Sequence, residues 1–241
     1  DPMTLKQAIA SLSQRVEAVT LVIILAIAGA LWAFVGLAAE MLEGDLHEFD
    51  ERILLALRTA GDLSNPIGGP QVEVAMRDLT ALGGITLLTL LTLAVLAFLI
   101  LRGQRASALF LAIAIVGGQV LSHLMKFSFA RPRPELVPHI VEVSSASFPS
   151  GHSMMSAVTY LTLAVMLART ERRIRIRVFY IVVAAILTML VGLSRVYLGV
   201  HWPSDVLGGW SLGAAWALGV WLLARRMGEH GQIEPEKSVD S

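Results

Sequence analysis

The sequence predicts an all-α fold: a polytopic membrane helix bundle with six transmembrane helices and a short interfacial amphipathic helix. Three observations carry it. The 241-residue chain is 55% hydrophobic and 16% charged, with a mean hydropathy of +0.68, which is more apolar than a soluble domain. The stretches 18–39, 79–101, 106–125, 153–168, 178–193 and 206–224 approach the roughly 20 apolar residues that cross a hydrocarbon core. The segments between them distribute Lys and Arg unevenly over the two sides, as the positive-inside bias requires.

From the N-terminus, Leu5, Ile9, Leu12 and Val16 recur at helical spacing and predict a surface-lying helix that leads into the first span. That span outlasts the apolar region of a cleavable signal peptide, roughly 7 to 15 residues, and is expected to remain. Within 40–78, Phe49, Ile53, Leu54 and Leu57 lie at helical spacing beside Asp50, Glu51 and Arg58. An interfacial helix and a lid over a site share this amphipathic pattern. Asn65-Pro66 and Gly68-Gly69-Pro70 break whatever helix precedes them.

The run from Arg169 to Arg177, between the fourth and fifth spans, is the strongest topology marker. Most of the 19 Lys and Arg fall on its side, so both termini are expected to be cytoplasmic. In the last span Gly209, Gly213 and Ala217 stand four residues apart and offer a flat face for close helix packing. Packing inside one bundle is the preferred use, so a monomer is favoured over a homodimer. One membrane-embedded domain, 1–228, is expected, followed by a polar, disordered tail, 229–241. With zero net charge and no cysteine, there is no general argument for nucleic-acid binding, and disulfides, thiolate metal sites and a cysteine nucleophile are excluded.

Ionisable groups near membrane depth are costly, and here they gather in the loops opposite the Arg169 to Arg177 run. The third span runs into Lys126 and then, through Pro132 and Pro134, an extended turn holding Arg131 and Arg133. The fourth opens on Pro149-Ser150-Gly151-His152, where free backbone N–H groups at a helix start suit an anion. An ordinary loop-to-helix cap would read the same way. Before the sixth span, His201 and Asp205 are four residues apart, with Pro203 suited to a first helical turn. A carboxylate against one imidazole nitrogen fixes the tautomer and frees the other to attack, although such a pair alone is weak evidence. All three fragments fall at one membrane face. Together they offer cations, backbone donors, two histidines and an aspartate, a set suited to phosphoryl transfer.

These residues resemble a family, the type 2 phosphatidic acid phosphatases, whose signature is Lys-x6-Arg-Pro, Pro-Ser-Gly-His and Ser-Arg-x5-His-x3-Asp. The three motifs stand in order as Lys126 to Arg133-Pro134, Pro149 to His152, and Ser194-Arg195 to His201 and Asp205. The resemblance implies that His201 attacks phosphorus and becomes phosphohistidine, while Asp205 orients it. It implies that His152 protonates the leaving oxygen and later activates water. Lys126, Arg133, Arg195, Ser150 and the Gly151 amide would hold the phosphoryl oxygens. His201 must then be neutral, helped by the surrounding cations, and His152 protonated, which gives a bell-shaped pH-rate profile.

Arg131 is a further candidate but lies outside the signature. His123, one turn before Lys126, either supports the site from behind or simply packs; His47 and His139 are loop residues without a partner that the sequence names. No metal-ligand motif is present on this face and no cofactor is expected.

Vanadate-dependent haloperoxidases share the motifs, but they are soluble enzymes. A lipid phosphotransferase would use the same phosphohistidine. An anion-binding transporter is the rival outside enzymology, yet neither inverted repeats nor broken midplane helices are evident. The resemblance implies a membrane lipid substrate in a bacterial cytoplasmic membrane, with the site facing the periplasm or exterior. The candidates are undecaprenyl pyrophosphate, phosphatidylglycerol phosphate, phosphatidic acid, diacylglycerol pyrophosphate and the phosphate of lipid A, with the first and the glycerophospholipid phosphates preferred.

Overall fold

A computed structural model describes residues 5–141 and 145–229, with side chains described within 18–227. Apart from Glu229, the expected polar tail lies outside the described residues. The chain forms α1 (Leu5–Glu43), α2 (His47–Ala56), a small antiparallel hairpin of β1 (Arg58–Thr59) and β2 (Asp62–Pro66), α3 (Gly69–Ala81), α4 (Ile85–Leu101), α5 (Arg105–Phe129), α6 (Gly151–Thr170), α7 (Ile174–Tyr197) and α8 (Pro203–Glu229). The all-α membrane bundle expected from the sequence is therefore the fold observed.

Five of these helices are long and apolar enough to cross a membrane, or up to 6 if the bent pair of α3 and α4 counts as one span. The second expected span, 79–101, is not one straight helix. It breaks at Leu82 to Gly84, and α3 and α4 meet at a 44° bend. Gly83 and Gly84 lower helix propensity there, and the carbonyl of Leu82 accepts a hydrogen bond from the Tyr160 hydroxyl at 2.6 Å. At the N-terminus no break separates the expected lead-in helix from the first span. No Gly or Pro occurs between Leu5 and Ala28, and α1 runs through as one 39-residue helix.

Helix α6 sits at the centre, packed against α5, α7 and α8, while α1 covers α8 and α3 covers α7. The residues from Ser153 to Tyr160 are all buried, which explains why α6 reads as less amphipathic than its neighbours. The outer faces carry exposed Leu25, Trp32, Leu90, Leu109, Val116 and Ile186, the surface a lipid tail would cover. Gly209 and Gly213 face α6. A Cβ on Gly209 would lie 2.7 Å from the Ser150 carbonyl oxygen, and one on Gly213 would lie 2.6 Å from that of Met154. The flat face noted in the sequence is thus used inside the bundle.

An aromatic cluster locks the start of α6. Phe148 is fully buried, stacks on Phe34 of α1 with centroids 5.6 Å apart, and meets Phe129 edge-on at 5.1 Å. Such burial contributes about 2–3 kcal/mol per ring. Helix α2 forms as expected, but its inner face packs on the bundle: Leu54 joins Val137, Val196, Trp202 and Val206 in one cluster. Asp50, one turn before Leu54, is buried as well, so the polar side assigned to it by the amphipathic pattern is wrong. The α2 segment therefore closes over the end of the bundle where α5, α6, α7 and α8 meet.

Candidate active site

Three chain connections meet at this end. Helix α5 stops at Ala130, whose φ of 44° turns the chain out of the helix before Arg131-Pro132-Arg133-Pro134 continues extended. Lys126, in the last turn of α5, donates from Nζ to the Ala146 carbonyl at 2.7 Å and to Ser145 Oγ at 3.2 Å. Arg133 donates from Nε to the Ser145 carbonyl at 2.8 Å and from Nη1 to the Val200 carbonyl at 2.6 Å. Both cations are thereby drawn onto the segment that leads into α6.

Ser150 caps α6: its hydroxyl accepts from the Ser153 amide at 3.4 Å and from the Ser153 hydroxyl at 2.9 Å. The hydroxyl is engaged with its own helix, and the Ser150 amide donates to the Asp205 carbonyl at 2.9 Å. Gly151 lies against Lys126, since a Cβ there would meet Lys126 Cε at 3.4 Å. His152 follows in the first turn. Its electrostatic neighbours are Arg195, His201, Lys126 and Arg133, and Gly83 in the break between α3 and α4 comes against its backbone.

His201 lies between α7 and α8 and is 1% exposed. The turn that delivers it needs Gly199, with a φ of 75° and no room for a side chain: a Cβ would lie 2.8 Å from Val137 Cγ2 and 3.1 Å from the Pro138 carbonyl oxygen. His201 Nε2 is 3.1 Å from Arg133 Nη1, and Nδ1 is 3.3 Å from Asp205 Oδ2. A guanidinium only donates, so Nε2 holds a lone pair and the ring proton sits on Nδ1, facing the carboxylate. Burial pushes the His201 imidazole down to about 3; the Asp205 hydrogen bond and charge oppose this, and Arg133 and Arg195 add to it. The sequence assigned its neutrality to surrounding cations, whereas burial is the leading cause. Burial likewise lowers the Arg133 guanidinium below its ordinary range.

Asp205, fully buried in the first turn of α8, accepts from the Trp202 amide at 2.9 Å, from Arg131 Nη1 at 2.6 Å and from the Ser147 hydroxyl. Arg195 is buried near the end of α7. Its Nη1 donates to Thr80 Oγ1 of α3 at 2.9 Å, and its Nε has no partner among the described residues. The structure thus brings Lys126, Arg133, Ser150, Gly151, His152, Arg195, His201 and Asp205 to one end of α5 to α8. The cations Lys126, Arg131, Arg133 and Arg195 outnumber the carboxylates Asp50 and Asp205, which suits an anion. Among the described residues, no group of three or more His, Asp and Glu is arranged to hold a metal.

Other histidines stand apart from this cluster. His123 is exposed and its Nδ1 is 3.1 Å from Gln119 Nε2. His47 pairs with Glu51 at 3.0 Å, and His139 Nε2 lies 2.7 Å from the Pro134 carbonyl. Sequence reasoning missed Ser147, Thr80, Asp50 and Ser204. Ser147 had a signal, its place two residues ahead of Pro149; the other three are brought in only by tertiary packing.

A PAP2 superfamily model matches residues 105–228, from the start of α5 through nearly all of α8. The chain belongs to the PAP2 superfamily. Among PAP2 relatives, the phosphatidylglycerophosphatase B of Bacillus subtilis (strain 168) is 34% identical over 145 residues, covering 60% of this chain and 71% of that protein. The undecaprenyl-diphosphatase of Sulfolobus acidocaldarius is 38% identical over 106 residues, covering 42% of this chain and 46% of that protein. The crystal structure of a transmembrane PAP2-type phosphatidylglycerolphosphate phosphatase from Bacillus subtilis superposes with a TM-score of 0.75 at 29% identity, covering 83% of this chain and 96% of that one. The family expected from the three motifs is the one found. The enzyme class follows with it: a PAP2 hydrolase of phosphoric monoesters or diphosphates in a multi-pass membrane protein.

Proposed function

We propose that this PAP2 protein hydrolyses the phosphate ester or pyrophosphate of a membrane lipid through a phosphohistidine on His201, at the non-cytoplasmic face of a bacterial cytoplasmic membrane. The observation that carries the reading is the buried ring of His201, with Nδ1 3.3 Å from Asp205 Oδ2 and Nε2 3.1 Å from Arg133 Nη1. In the first step the Nε2 lone pair forms a bond to phosphorus and the bond to the lipid oxygen breaks, with His152 giving its proton to that oxygen. In the second, water gives a proton to His152 and attacks phosphorus, the P–N bond breaks, and inorganic phosphate leaves. Lys126, Arg133, Arg195, Ser150 and the Gly151 amide stabilise the charge on the equatorial oxygens.

The relatives' names support phosphatidylglycerol phosphate and undecaprenyl pyrophosphate as substrates, with phosphatidic acid of the same chemistry. The catalytic unit is the single domain 1–228. Its orientation rests on Arg169, Arg172, Arg173, Arg175 and Arg177 at the α6 to α7 connection, remote from His201, with both termini on that cytoplasmic side.

The test is a rapid quench without acid, using purified protein and lipid labelled at phosphorus. Label should appear on His201 and be lost from His201→Ala together with phosphate release; a His201→Ala protein that is folded and still turns over sinks the proposal. The cysteine-free chain also permits single-cysteine labelling. Cysteines at Leu136 and Arg172 should react from opposite sides of sealed vesicles.

A further inference from the structure

The buried charges behind Asp205 form a relay that reaches outside the signature motifs. Asp50 of α2 is fully buried, and its Oδ1 accepts from the Ser204 amide at 2.8 Å. Its Oδ2 accepts from the Ser204 hydroxyl at 2.5 Å and from Arg131 Nη2 at 2.8 Å. Arg131 turns its other nitrogen, Nη1, to Ser204 Oγ at 2.8 Å and to Asp205 Oδ1 at 2.6 Å. The guanidinium also lies over the Trp202 ring, 5.6 Å from its centroid. One guanidinium therefore bridges two buried carboxylates, and only one of them touches the histidine.

We infer that Asp50 and Arg131 are positioning residues for the nucleophile, acting through Asp205, and this rests on the phosphohistidine reading above. Two physical effects combine. Asp50 supplies from another helix the acceptor that the Ser204 amide, in the first turn of α8, cannot find within α8. That fixes the turn from which Asp205 projects. The second effect is electrostatic. Asp50, Arg131 and Asp205 together leave one net negative charge beside the imidazole, which becomes cationic as Nε2 bonds to phosphorus. Without the charge of Asp50, Arg131 is matched by Asp205 alone, the net charge beside the ring falls to zero, and the transition state loses stabilisation that the bound ground state does not need.

This predicts an effect on turnover rather than on lipid binding. Asp50→Asn, nearly isosteric, is expected to lower kcat roughly 10- to 100-fold while KM stays within about 3-fold, the loss typical of one charged hydrogen-bonding partner. The rate of phosphoenzyme formation in a single turnover should fall by the same factor.

A double-mutant cycle separates this role from mere docking of α2. If Asp50 and Arg131 hold Asp205 as one unit, the Asp50→Asn/Arg131→Gln double variant loses clearly less than the product of the two single losses. If it only anchors the helix, the two losses multiply. Turnover of a folded Asp50→Asn protein within 2-fold of the unsubstituted enzyme, or multiplying losses in the cycle, overturns the inference. Should Asp50→Asn lose its thermal transition in detergent, Arg131→Lys carries the test, because it keeps the charge but cannot bridge two carboxylates; turnover within 2-fold of the unsubstituted enzyme then overturns it. Failure of the underlying reading shows up independently, as turnover retained by His201→Ala.

Discussion

Replacing Asp205 by Asn tests the heart of the site, because the change keeps shape and burial while removing one charge. The carboxylate oxygen lies 3.3 Å from His201 Nδ1. At an effective dielectric of about 20, a full unit charge on the ring at that separation interacts with it by about 5 kcal/mol. The ring carries roughly half a charge when the bond to phosphorus is half made, so about 2.5 kcal/mol is at stake, or roughly a 10²-fold fall in kcat. The Asn amide can also turn its NH2 toward Nδ1, which favours the tautomer unable to attack and moves the loss upward. The assay is release of inorganic phosphate from a short-chain lipid phosphate in detergent micelles, with the thermal transition recorded on the same preparation. A folded Asp205→Asn enzyme within about 5-fold of the unsubstituted rate would refute the electrostatic argument.

The remaining predictions concern the surroundings of the same site. Burial holds His201 at about 3 against an ordinary value of 6.5, so between those values the unfolded chain binds more protons than the folded one. Stability should therefore be level above pH 6.5 and fall as pH drops toward 3, and His201→Gln should flatten that slope of melting temperature against pH. Thr80→Val removes the acceptor that orients Arg195 at 2.9 Å, and should raise KM for the lipid phosphate about 10-fold with a smaller effect on kcat. Gly209→Ala puts a methyl 2.7 Å from the Ser150 carbonyl oxygen; the expected cost is about 1–3 kcal/mol in stability, with activity reduced because the start of α6 must move. Prolonged chelation should leave the rate within 2-fold, since the proposed steps draw only on groups of the protein; a loss restored by a divalent metal would contradict that.

The parts of the fold that could be read in the sequence are those whose physics is local. Five of the apolar stretches became continuous helices because nothing within them interrupts the i to i−4 hydrogen bonding. His201 and Asp205 were legible because a four-residue spacing brings side chains together on a turn. Lys126 and Arg133 were legible because prolines force the chain to leave the helix between them. The break in 79–101 was not legible: Gly83-Gly84 stands at it, but Gly117-Gly118 and Gly208-Gly209 lie inside the unbroken α5 and α8, and a hydropathy window averages over such pairs.

Asp50 could not be found in this way. Its partners Arg131 and Ser204 are 81 and 154 residues away, and by local pattern it is indistinguishable from a solvated acid on an amphipathic helix. Thr80 is separated from Arg195 by 115 residues for the same reason. A reading based on periodicity finds which residues share a face, and long-range packing decides which face is inside.

The family match begins at residue 105, so every group expected to touch phosphorus lies in the C-terminal half, whereas Asp50, Thr80 and Gly83 come from the half before it. The first half works as a harness on the second, gripping the first turn of α8 at Ser204 and the Arg195 guanidinium through one hydroxyl. Drift in α2 or α3 would then retune the speed or lipid preference of the enzyme while its reacting groups stayed untouched.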